Sequence, residues 1–131
     1  MYLNQLTKEE QYSFMNLISV LIMADNTITK EEMDIFNAYL IEIGKIIPFN
    51  EHVNLEVELE KIRNMPIHKK KMVYFELLAV AKGDNDFAVE EKNLMKKIQN
   101  SFGITDEEAS IIEIYLDKLT NLYKELSVVL S

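Results

Sequence analysis

The amino-acid sequence predicts an all-α fold: two helix–acidic loop–helix hairpins related by a pseudo-twofold axis, a bridging helix between them and a long C-terminal helix. Three observations carry this expectation. Capping boxes of the Thr-x-x-Glu type mark helix starts, apolar residues recur behind them at helical spacing, and residues 14–45 are repeated at 73–104. With Gly 3 and Pro 2, the chain also lacks the punctuation that a turn-rich β fold requires.

The elements follow in order. Thr7-Lys8-Glu9-Glu10 opens a first helix over about Lys8 to Ala24, with Phe14, Leu17, Ile18, Leu21 and Ile22 on one stripe. Thr29-Lys30-Glu31-Glu32 opens a second, over Lys30 to Ile43, with Met33, Phe36, Leu40 and Ile43 inward and Gly44 as the C-terminal cap. Between Val53 and Glu60 apolar and polar residues alternate, which is a strand pattern and would put the apolar residues on two faces of a helix. A lone strand would have no partner in this chain, and Leu, Glu and Lys form helices well, so a third helix is expected here. Met65-Pro66 marks a break before a fourth helix, Ile67 to Lys82. A fifth runs over Val89 to Phe102 and ends at Gly103, and Thr105-Asp106-Glu107-Glu108 opens a last helix reaching about Val129.

Composition sets the outer bounds. A chain of 131 residues with 48% hydrophobic side chains is one domain with a real core. Cys 0 excludes disulfides, thiolate metal sites and cysteine nucleophiles. The start lacks a basic region followed by an apolar one, and the longest apolar run, Leu17 to Ala24 interrupted by Ser19, is far short of the ~20 residues of a membrane span. A cytoplasmic protein is expected, with peripheral membrane contact at most. The formal net charge of −8 disfavours nucleic acid and suits a basic protein partner or cations, although solubility alone would account for it. Residues 1–65 hold 5 basic and 11 acidic side chains and residues 66–131 hold 9 and 11, so the first half is the more acidic.

At an offset of 59, Asp25 meets Asp84, Asn26 meets Asn85, Glu31 and Glu32 meet Glu90 and Glu91, and Gly44 meets Gly103. The apolar positions match too: Ile18 with Leu77, Leu21 with Val80, Ile28 with Phe87, Phe36 with Met95 and Ile43 with Phe102. A helical hairpin of this size cannot bury its apolar face alone, so two copies are expected to pack on each other.

The first loop reads Ala24-Asp25-Asn26-Thr27-Ile28-Thr29-Lys30-Glu31-Glu32, the second Gly83-Asp84-Asn85-Asp86-Phe87-Ala88-Val89-Glu90-Glu91. An Ala-Asp-(Gly)-x-Ile-(Ser/Thr)-x-x-Glu pattern after an apolar helix, given twice about sixty residues apart, resembles the tellurite-resistance protein B (TerB-like) family. A TerB-like domain also occurs at the N-terminus of a membrane-anchored DnaJ-type co-chaperone. The resemblance spans roughly residues 10–115. It implies an all-helical, non-enzymatic module associated with stress responses and tellurite resistance, with assemblies near the membrane and with acidic metal-binding surfaces. The chain departs from the pattern in three places: both copies have Asn where the family has Gly, the second has Ala88 at the cap, and Lys82 stands where the first copy has Met23. Asn tolerates the left-handed turn, whereas loss of the cap costs ~1 kcal/mol unless Asp86 substitutes.

Asp25 and Glu32 with Asp84, Asp86 and Glu91 offer hard oxygen ligands of the type Ca2+ or Mg2+ takes. They do not form an EF-hand: counted from Asp25 or Asp84, the sixth and twelfth positions are Lys30 and Phe36 or Val89 and Met95. The competing and heavier reading gives the aspartates to turns and the glutamates to capping boxes. Catalysis has little support. His52 and His68 stand apart among charged residues, and no zinc-binding His pair, nucleophile elbow or phosphate loop is present. Cations at His68-Lys69-Lys70-Lys71, at a helix start, would suit an anionic surface or be a solvated face. In the last helix Ile112, Leu116, Leu119, Tyr123, Leu126 and Leu130 alternate steps of four and three, with Tyr115, Leu122 and Val129 beside them; the end seeks a partner, and the chain is expected to be a monomer or a dimer through this helix.

The expected function is therefore a non-catalytic adaptor that binds protein through its acidic surface. The alternative is an immunity- or antitoxin-type inhibitor of a basic toxin, with Glu51, Glu56, Glu58 and Glu60 as the binding face. Leu122, Leu126 and Val129 are the apolar contact candidates, and a metal-dependent hydrolase is a distant third.

Overall fold

A computed structural model of the chain describes residues 1–83 and 87–131. It is all-helical, and no strand occurs among the described residues. Six helices follow in order: α1 (Lys8–Ile22), α2 (Lys30–Ile43), α3 (Leu55–Ile62), α4 (Ile67–Lys82), α5 (Val89–Phe102) and α6 (Asp106–Leu130). Short 3-10 turns, Leu3–Gln5 and Met23–Asp25, flank α1.

The caps explain the boundaries. At Thr7, Thr29 and Thr105 the hydroxyl accepts from the N–H of the residue three on, while Glu10, Glu32 and Glu108 accept in return from the threonine N–H. Gly44 and Gly103 end α2 and α5 at φ +67° and +71°, where a side chain would be strained. The first helix stops at Ile22, two residues short of the expected Ala24, because Met23–Asp25 tightens into the 3-10 turn and Asn26 then takes the left-handed conformation at φ 61°.

The stretch with strand-like alternation is helix α3, capped by Asn54, which accepts from the Val57 N–H. Leu55, Leu59 and Ile62 turn inward, and Val57 lies on the opposite face, 49% exposed. The core is built on α1 and α4. Phe14, Leu17, Ile18, Leu21 and Ile22 of α1 meet Leu77, Leu78 and Ala81 of α4, with Phe36, Met95, Ile98 and Phe102 closing the sides. Helix α1 packs on α2, α3 and α4, and α4 packs on α1, α5 and α6.

Glu76 and Gln99 are buried and find partners within the fold, whereas one buried carboxylate oxygen of Glu58 has none among the described residues. Glu76 accepts from the Tyr2 N–H at 2.9 Å and from the Tyr39 hydroxyl at 2.9 Å, and pairs with the Met1 ammonium at 2.6 Å. Burial first, and the Glu76 charge second, push the Tyr39 phenol far above its ordinary range. Buried Gln99 ties down the turn after α5 by donating to the Ile104 carbonyl and to Asp106.

Candidate functional site

The first acidic loop meets α5 and the 45–54 connection at one cleft. The 3-10 turn after α1 lies against α5. A cleft of about 410 Å³ opens there, lined by Ser19, Met23 and Asn26 from the first repeat, Asn50 and Glu51 from the connection, and Glu90 and Leu94 from α5. Its walls therefore carry carboxylate, amide and hydroxyl oxygens from three separated stretches of chain. The serine is already engaged: its hydroxyl donates to the Met15 carbonyl.

Each expected oxygen ligand has a local structural duty. Asp25 is exposed and accepts from the Thr27 N–H at 3.0 Å, an Asx-turn. Glu32 is occupied in its capping box. Glu91 is buried and accepts from the Ala88 N–H at 3.4 Å, the half of a capping box that survives without a threonine. Asp84 and Asp86 lie outside the described residues. Among the described residues, no three His, Asp or Glu side chains come together as an ion-binding group. Of the carboxylates that face the cleft, Glu90 belongs to neither the expected metal set nor the expected partner set; it is the second residue of α5, beside the expected Glu91.

The helix α3 face departs from expectation at one residue. Glu51, Glu56 and Glu60 are exposed, but Glu58 is only 5% exposed. It lies three residues after Leu55 and four before Ile62, on the inward face of α3. One oxygen of Glu58 accepts from the Asn16 amide at 3.1 Å and the Lys61 ammonium at 3.2 Å. It is therefore part of the α1–α3 packing rather than of a partner-facing surface. Glu56 pairs with Lys97 across to α5, and Glu60 pairs with Arg63 on its own helix.

Two of the three lysines at the start of α4 are also answered internally. Lys69 pairs with Glu10 at 2.9 Å and Lys71 with Glu108 at 2.5 Å, so two lysines of one helix staple the capping glutamates of α1 and α6. The Lys71 ammonium and the Thr105 N–H hold the Glu108 carboxyl down to about 2. Burial pushes the Glu10 carboxyl up, but the Thr7 N–H and the Lys69 ammonium outweigh it and hold the group below its ordinary value. Lys82, which replaces the methionine of the first repeat, bridges α4 to Glu113 and Asp117 of α6. Burial opposes its charge, but the Asp117 and Glu113 carboxylates raise it above its ordinary value.

The third set of expected contact residues is on α6. Leu122, Leu126 and Val129 are 60%, 46% and 76% exposed. A larger cleft, about 610 Å³, lies between the first half of α1 and the end of α3 with the connection after it, with Glu9, Tyr12, Asn16, Lys61 and Asn64 on its walls. No helix of the described residues is long and apolar enough to cross a membrane. Comparison with family models, with curated proteins and with solved structures returns no match for this chain.

Proposed function

We propose that the chain is a TerB-like adaptor: a non-catalytic, stress-associated module that binds a basic protein partner through its acidic surface. The binding point is the cleft between the first loop and α5, where Glu51 and Glu90 supply the carboxylates that meet the partner's basic side chains. One observation carries the reading: stretches far apart in sequence, including both repeats, contribute oxygen-bearing side chains to a single open cleft. The packing of α1 on α2, of α4 on α5 and of α1 on α4 is in keeping with two hairpins about a pseudo-twofold axis, as the TerB-like resemblance implies.

The inhibitor reading draws less support, because three of the four glutamates it needs are engaged within the chain. Glu58 is buried, Glu56 faces Lys97 and Glu60 faces Arg63. A comparison of capture from the source cells tests the proposal. The wild-type chain and Glu51→Gln/Glu90→Gln are immobilised in parallel, at low and high salt and with and without divalent cations. A basic protein retained by the wild type, released by salt and lost on the variant is the expected result. A partner retained equally by both would take binding away from the cleft.

A further inference from the structure

We propose that the outer half of α6 is a self-association surface on which a second copy of this chain docks antiparallel.

The inner half of α6 is anchored. Ala109 and Leu116 are buried, Ile112 packs on the core, and Lys71 and Lys82 of α4 hold Glu108, Glu113 and Asp117. Beyond Leu116 nothing is buried: Leu119 is half-buried, and every residue from Thr120 to Ser131 is exposed. The segment from Thr120 to Leu130 is thus a helix about 16 Å long that buries no side chain among the described residues. A free helix of that length is marginal in water, so tertiary contact is what would make it persist.

The uncovered side chains form one stripe. Tyr115, Leu122, Tyr123, Leu126, Val129 and Leu130 are between 46% and 76% exposed. At about 100° per residue they fall within about 120° of the helix circumference. Together they offer on the order of 700 Å² of apolar surface, close to the roughly 800 Å² each partner contributes to a standard interface.

The sequence of the stripe is self-complementary. With a twofold axis between Leu122 and Tyr123, an antiparallel copy sets Tyr115 against Leu130, Leu119 against Leu126 and Leu122 against Tyr123. In that register Lys118 is level with Ser127, Lys124 with Asn121 and Glu125 with Thr120 along the helix axis, so no like charges come level beside the seam. Charge selects the same occupant. Asp117 and Glu125 balance Lys118 and Lys124, so the formal −8 of the chain resides entirely before Asp117. Two copies of an acidic molecule meet here with least repulsion, and a basic partner has nothing here to draw it. This surface is independent of the loop–α5 cleft.

Light scattering coupled to size exclusion, at high micromolar concentration, reads the state directly. The wild type should run at twice the 15.3 kDa chain mass. Leu122→Glu/Leu126→Glu should run as a monomer with an unchanged circular dichroism spectrum, and Asn121→Glu, on the far side of the helix, should remain a dimer. Because the chain has no cysteine, Tyr123→Cys and Tyr115→Cys give a clean orientation test with a short bis-maleimide. Tyr123→Cys should cross-link to its copy. Tyr115→Cys should not, because in the antiparallel register it lies about 22 Å from its own copy. A monomeric wild type, a dimer indifferent to the double substitution, or cross-linking at both positions would overturn the proposal.

Discussion

Replacing Ala88 by threonine should stabilise the protein. Ala88 holds the N-cap position of α5 at φ −62°, ψ 156°, close to the −71° and 160° of Thr105 at the same position of α6. The backbone is therefore already set for a capping residue, and Glu91 already supplies the reciprocal half of the box to the Ala88 N–H. Ala88 itself carries no side-chain oxygen that could accept from the backbone N–H three residues on. A threonine cap is worth about 1 kcal/mol, within a range of about 0.5–2. For a domain of this size, with an unfolding entropy near 2.1 cal/mol/K per residue, 1 kcal/mol corresponds to a shift of about 4 °C in Tm. Thermal unfolding by calorimetry or circular dichroism is the assay, with Thr29→Ala and Thr105→Ala as reciprocal controls expected to fall by a similar amount. A neutral or destabilising Ala88→Thr beside controls that lose the full increment would refute the reasoning and show that α5 is capped by another group.

Three more outcomes follow from the geometry. Asn26→Ala should cost about 1–2 kcal/mol because alanine resists the left-handed conformation seen at φ 61°, whereas Asn26→Gly should be close to neutral; denaturant melts distinguish the two. Tyr39→Phe should cost about 1.5–3 kcal/mol by removing a hydrogen bond to the buried Glu76 carboxylate, and a double-mutant cycle with Glu76→Gln should return a coupling of that order. The Glu108 carboxyl sits at about 2 when folded, below its ordinary 4.5, so its contribution is complete above pH 4.5 and disappears as pH falls through 2. The gap in stability between wild type and Glu108→Gln should narrow over that window, and a gap independent of pH would count against the Lys71 pairing.

The helices were legible because their ends carry local chemistry. Thr7, Thr29 and Thr105 announce their capping boxes, and Gly44 and Gly103 announce their left-handed caps, without reference to anything distant in sequence. The alternation over 53–60 misleads toward a strand only if Asn54 and Ile62 are left out; with them, Leu55, Leu59 and Ile62 form a helical stripe. That stripe also marks Glu58 as inward, a signal obscured by grouping it with the other glutamates of α3. The pairing of Lys69 and Lys71 with the caps of α1 and α6 was not legible, because it depends on which helices pack together. The same holds for the cleft: Glu51 and Glu90 are thirty-nine positions apart, and only the packing of α5 against the turn after α1 brings them together.

Amide NMR during titration with a lysine- and arginine-rich helical peptide tests whether that cleft is the binding site. The account predicts that Asn26, Asn50, Glu51 and Glu90 shift together and that Glu51→Gln/Glu90→Gln abolishes the response. Shifts spread evenly over the acidic surface, or confined to α3, would contradict it.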